Sequence, residues 1–142
     1  MMRPASGRTL LRRLPTEAEW EGAARCGEDS LYAGSDTIDA VAWYFGNAGV
    51  MPEPVAGLAP NPCGLYDMSG NVHEWTNDWY RSSPYGAAAA TDPTGPSPGA
   101  RRVLGGGGWT SDAQLARVAS RSRSTPGDCY PDLAIRLVRT AP

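Results

Sequence analysis

The chain has 142 residues with 13 basic and 15 acidic side chains, a net charge of −2, so one domain is expected, with no overall field to recruit nucleic acid or an anionic membrane. A hydrophobic fraction of 41% excludes disorder throughout, and no apolar run is long enough for a membrane span. Gly 17 and Pro 13 exclude a bundle of long helices and predict a fold rich in turns.

Residues 1–12 form an Arg-rich lead. Leu14-Pro15-Thr16-Glu17-Ala18-Glu19-Trp20 then reads as a helix start, with Thr16 capping the amide of Glu19 and the Glu19 carboxylate reaching back. That helix is expected to run to about Cys26 and stop at Gly27. Residues 27–66 alternate short apolar pieces with turn formers such as Gly46-Asn47-Ala48-Gly49 and read as mostly irregular coil. Residues 70–80, with apolar or aromatic side chains at 72, 75, 79 and 80, fit a short strand or a tight ordered turn. Residues 81–100 read as an exposed Pro, Gly, Ser and Ala loop. Arg101-Arg102-Val103-Leu104 enters as a strand and meets the glycines at 105–108, where the backbone must turn or approach a neighbour closely. A turn-rich stretch, 123–132, precedes an expected last strand over 133–138.

All basic residues are Arg, which removes lysine Schiff-base chemistry and leaves planar cations suited to carboxylates. The only histidine, His73, cannot build a three-His zinc site. Cys26, Cys63 and Cys129 are odd in number, far apart and without CxxC spacing. They read as free thiols in a reducing compartment. The start MMRPASGRTLLRRLP has no apolar core of signal-peptide length, so a cytoplasmic location is expected.

Four segments in order carry a resemblance: Arg13 to Glu21, Asn61 to Trp75, Arg102 to Trp109, and Arg117 to Arg121 leading to Arg136-Leu137-Val138. Together they resemble the C-terminal part of the formylglycine-generating enzyme family, also called sulfatase-modifying factors, over residues 13–142. The resemblance implies an α+β fold, a C-type-lectin-like variant with a small twisted antiparallel sheet and much ordered loop. It also implies that the N-terminal strands and first helix of the family domain are missing. The strand at 133–138 would then have an open edge unless the Arg-rich lead or a partner chain covers it.

Asp67 and Glu74 supply hard oxygens, and the turn between them can aim carbonyls at one point, as a calcium site requires. The resemblance places calcium on the side chains of Asp67 and Glu74 and the carbonyls of Gly70 and Val72. The residues alone allow another reading, in which Asp67 caps a turn and Glu74 pairs with an Arg. The family's oxidase uses a serine and two cysteines after the glycine run. Here Gly108, Ser111 and Ala116 stand at those positions, and a hydroxyl replaces neither the copper-binding nor the electron-transferring role of a thiolate. Copper is therefore not expected. His73 stands where the family usually has Trp; as a lone histidine it reads as structural rather than as a general base.

The expected function is a non-catalytic ligand-binding module for a peptide, protein or sugar, similar in layout to variable proteins of diversity-generating retroelements. Trp109, Thr110, Ser111, Asp112, Arg121, Arg123, Ser124, Tyr130 and Asp132 are the expected ligand-binding residues. The alternative is a divergent formylglycine-generating oxidoreductase acting on protein cysteine.

Overall fold

The computed structural model describes residues 11–82 and 99–140. In chain order these form β1 (Arg12–Arg13), α1 (Glu17–Arg25), a 3-10 turn (Ile38–Ala40), β2 (Ala42–Trp43), β3 (Ser69–Gly70), β4 (His73–Trp79), β5 (Arg102–Gly105), β6 (Ser122–Ser124), β7 (Leu133–Ala134) and β8 (Val138–Arg139). Long stretches of ordered turn separate them, as the Gly and Pro content predicts. Most of the expected loop at 81–100 lies outside the described residues.

The expected helix start is present. Thr16 Oγ1 accepts from the Glu19 amide at 3.1 Å, and a Glu19 carboxylate oxygen accepts from the Thr16 amide at 2.8 Å. Arg13 grips the same carboxylate at 2.7 Å through two nitrogens and holds its pKa down at about 2. The helix ends on Cys26, in the left-handed region at φ 48°. Its last turn is tied down by a Cys26–Cys63 disulfide, with Cα atoms 5.7 Å apart. This corrects the expectation of three free thiols. The partners are separated by 37 residues, so only the return of the 61–64 turn to the helix end brings them together. With that bond present, the thiol argument for a reducing compartment falls away, because disulfides persist in oxidising surroundings. Cys129 is free and exposed. Among the described residues no helix is long and apolar enough to cross a membrane.

The main sheet has the order β6-β5-β4-β7, antiparallel except for the parallel β4–β7 pair. β4 is its organising strand, and its inward face is polar: Glu74, Thr76 and Asp78 are all buried, while Trp75 and Trp79 are half-buried on the other face. Burying three polar side chains in a row costs stability unless each finds partners. Glu74 accepts from the Trp20 indole at 2.8 Å, Thr76 donates to the Val103 carbonyl at 3.1 Å, and Asp78 accepts from the Glu17 amide at 2.8 Å. Each bond locks β4 to α1 or to β5. Burial raises the Asp78 pKa, opposed by that amide bond.

Trp20, 3% exposed, sits with Ala24, Ala33, Met68 and Val118 in the main core; Tyr32, Val41 and Ala116 make a second cluster. The glycine run serves this packing. A Cβ on Gly105 would lie 2.8 Å from the Trp20 ring, so the indole can lie against the sheet only because that position is bare.

The expected strand at 133–138 is two strands. β7 joins β4, the chain then leaves the sheet where Arg136 turns in toward Glu74, and β8 pairs with β1 through Arg13↔Val138 and Arg12↔Arg139. The Arg-rich lead therefore supplies a pairing edge for the last strand.

Candidate functional site

Beyond the β4–β7 pair the surface opens into a cavity of about 460 Å³. His73 and Leu133, opposite each other in that pair, form part of its wall, and Leu104 contributes from β5. Strand β6 adds Ser122, Arg123 and Ser124, the glycine-run exit adds Trp109 and Thr110, and the turn before β7 adds Tyr130, Pro131 and Asp132. Aromatic, aliphatic, hydroxyl, cationic and anionic groups thus meet in one hollow of ligand-binding size.

Six of the nine sequence-predicted binding residues converge here: Trp109, Thr110, Arg123, Ser124, Tyr130 and Asp132. Three do not line the hollow. Ser111 is buried; its hydroxyl accepts from the Gly108 amide at 2.9 Å and lies 3.3 Å from His73 Nε2. Asp112 accepts from the amides of Gln114 and Leu115 at 2.9 and 3.1 Å, capping a turn. Arg121 ion-pairs with the partly buried Glu17 at the helix start, one contact being 3.0 Å, and donates to the Arg81 carbonyl.

Sequence reasoning missed His73, Leu104, Ser122, Pro131 and Leu133 as lining residues. His73 and Leu133 are brought together only by parallel pairing across 60 positions of chain, for which no local signal exists. Burial pushes the His73 pKa down, with Asp132 pulling the other way, so the ring is held toward its neutral form. Its Nδ1 and the Trp109 Nε1 are buried without a hydrogen-bond partner among the described residues. Gly108 closes the floor: a Cβ there would stand 3.1 Å from Asp132 and 3.3 Å from His73.

The positions that the resemblance assigns to the oxidase cysteines are poorly placed for that chemistry. Ser111 is an internal hydrogen-bonding residue, and Ala116, 0% exposed, is packed with Tyr32 and Val41. Cys63 is bonded to Cys26, and Cys129 does not line the cavity.

The residues expected to hold calcium surround a guanidinium instead. Arg136 grips both Glu74 oxygens, with contacts from 2.7 to 3.0 Å, and donates to the Tyr66 carbonyl at 2.9 Å. Asp67 accepts from the Ala56 amide at 2.8 Å, and its charge also acts on Arg136. The Gly70 and Val72 segment lies alongside, Gly70 pairing with Trp43. A cation on this set would have to displace Arg136 or stand beside its positive charge, so the residues as placed do not fit calcium. The arrangement has the form of the second reading, a turn-capping Asp67 and an Arg-paired Glu74.

Residues 5–141 match the Sulfatase-modifying factor enzyme 1-like domain. The chain belongs to this family. Its fold is the family's C-type-lectin-like arrangement, and the solved structure titled Treponema denticola variable protein 1 superposes with a TM-score of 0.84 at 42% identity, over 89% of this domain and 46% of that chain. A structure titled CarF aligns with a TM-score of 0.68 at 34% identity, over 92% of this domain and 48% of that chain. Among curated relatives, the formylglycine-generating enzyme of Streptomyces coelicolor is 37% identical over 92% of this domain and 47% of its own length. A serine/threonine-protein kinase pkn1 of Chlamydia pneumoniae is 44% identical over 82% of this domain and 19% of its own length. The chain thus spans from about a fifth to about half the length of the curated relatives it matches.

Proposed function

We propose that this domain is a non-catalytic ligand-binding module whose site is the cavity between β6, the Trp109 turn and the 130–133 segment. The observation that carries the reading is the cavity lining: Trp109, Tyr130, Arg123 and Asp132 converge on about 460 Å³ that no cysteine lines. Aromatics lining a cavity beside a cation and an anion are the equipment of recognition, combining large contact area at low entropic cost with directional polar bonds. The family's oxidase chemistry depends on a sulfur pair, whereas this cavity offers a hydroxyl, an imidazole and a carboxylate. Similarity to a variable protein supports a binding role, and peptide or protein is the ligand class that the mixed lining suits best.

The test is selection of peptides from a displayed random library on the full chain, followed by titration of a selected peptide against Trp109→Ala, Tyr130→Ala and Asp132→Ala. Loss of affinity of about tenfold or more in the aromatic variants is expected, since centrally placed aromatics dominate such interfaces. Undiminished binding in all three would remove the cavity as the site. Conversion of cysteine to formylglycine in a sulfatase-motif peptide, supplied with copper and oxygen, would instead establish the oxidoreductase.

A further inference from the structure

Next to the cavity, and sharing Arg123 with it, is a shallow depression of about 630 Å³ lined by Tyr80, Arg81, Ser82, Ala100, Arg101 and Arg123. Among the described residues, three guanidinium-bearing ones and no carboxylate border it. Arg81, Arg101 and Arg123 are all exposed, and among the described residues none of the three forms a salt bridge. The contrast is with Arg13, Arg25, Arg121 and Arg136, each gripping a carboxylate. In a chain of net charge −2, three clustered cations without a salt bridge among the described residues make a local reversal of the molecule's sign.

The cluster has internal support. Tyr80 is fixed by the hydrogen bond that its backbone N–H donates to the Arg101 carbonyl at 2.7 Å, and the Arg123 guanidinium lies 4.5 Å from the Tyr80 ring centroid. Stacking of that kind holds a guanidinium in place while leaving its N–H edge free to donate. Arg121 lies 4.7 Å from the same ring centroid. It donates to the Arg81 carbonyl at 2.8 Å, tying the Arg81 backbone to β6. The nearby carboxylate of Asp128 acts on Arg101 through its charge without forming a salt bridge, and its hydrogen bonds go elsewhere: it accepts from the Ser124 hydroxyl at 2.5 Å and the Thr125 amide at 2.9 Å.

We propose that Arg81, Arg101 and Arg123 form an anion subsite that extends the cavity and selects a peptide carrying acidic side chains beside its apolar anchor. The inference rests on the reading of the cavity as a peptide site. Planar guanidinium forks match carboxylates in a bidentate fashion. A nucleic-acid strand fits the surface less well. The Tyr80 ring already carries two guanidinium groups and is not a free platform for a base, and Asp132 in the adjoining cavity would oppose a run of phosphates.

The test uses the full chain and two fluorescein-labelled probes, hexaglutamate and hexaserine, titrated by anisotropy at about 50 mM and about 300 mM sodium chloride. Hexaglutamate should bind about tenfold more tightly than hexaserine at the lower salt, and the advantage should shrink at the higher salt. The double variant Arg101→Gln with Arg123→Gln should weaken hexaglutamate roughly fivefold or more. Arg81→Gln, at an exposed position, should act in the same direction, and Arg139→Gln on β8 should change nothing. Equal binding of the two probes, or binding unchanged in the Arg variants, would overturn the subsite. So would tighter binding of oligothymidylate than of hexaglutamate. A library-selected peptide that depends on Trp109 and Tyr130 but not on these arginines would leave the cavity reading standing and remove the subsite alone.

Discussion

The two sides of the main sheet treat their polar groups in opposite ways. Where α1 meets β4, the buried polar side chains have named partners: Glu74 has Trp20 and Arg136, Thr76 has Val103, Glu17 has Arg121, and Asp78 has the Glu17 amide on one carboxylate oxygen, its other oxygen having no hydrogen bond among the described residues. At the cavity, Tyr130 is 55% exposed, and among the described residues exposed Arg123 has no ion pair and His73 Nδ1 and Trp109 Nε1 have no hydrogen-bond partner. A largely satisfied network favours one packing, whereas exposed groups such as Tyr130 and Arg123 are less committed to the fold. The contrast separates the scaffold from the candidate site on physical grounds alone.

The sharpest way to break that comparison is to cut the scaffold network. Glu74→Ala strands the half-buried Arg136 guanidinium and the Trp20 indole, and a loss of roughly 3–5 kcal/mol is expected from urea denaturation. A loss below about 1 kcal/mol would mean the network is idle. Replacing Cys26 and Cys63 with Ser should cost about 2–4 kcal/mol, since the bond closes a long loop. The unreduced parent protein should show a single reactive thiol, at Cys129, in a thiol-counting assay, and three would refute the bond. Thr16→Ala should cost about 1 kcal/mol through loss of the helix cap, read in the same denaturation curves. On the cavity side the same measurement should register little: Tyr130→Ala is expected to stay within about 0.5 kcal/mol of the parent while binding falls.

Acid titration sharpens the comparison further. Because burial lowers the folded-state pKa of His73, the unfolded chain takes up this proton first. Its contribution is therefore fully present above about pH 6.5 and declines as pH falls from there toward the folded pKa. Glu19, held at about 2 by Arg13, contributes in the same direction lower down, its share being lost from about pH 4.5 to 2. That pair is partly exposed, so its share is small. The smallest effect expected is that of calcium. With Arg136 already seated on Glu74, addition of calcium to metal-free protein should leave the melting temperature unmoved in the parent and in Asp67→Ala alike. A calcium-dependent rise abolished by Asp67→Ala would show instead that the ion can displace the guanidinium.

Features set by neighbours in sequence were legible from the sequence alone. The cap at Thr16 and Glu19 involves groups three residues apart, and the glycine run announces a close approach because no other residue lacks a Cβ. The family motifs pointed to the fold, and six of the nine residues expected to bind a ligand line one cavity. What the sequence misreported were contacts between distant segments. Cys26 and Cys63 read as separate thiols until the 61–64 turn returns to the helix end, and Leu133 to Val138 reads as one strand until Arg136 leaves the sheet for Glu74. The pattern of β4 itself was deceptive, since its buried face is polar and its large aromatics lie on the other side. Composition and local spacing thus determined the turns, the helix and the family. Which charge meets which, and so whether an acidic side chain serves the scaffold or the site, was decided only when the folded chain brought a guanidinium into reach.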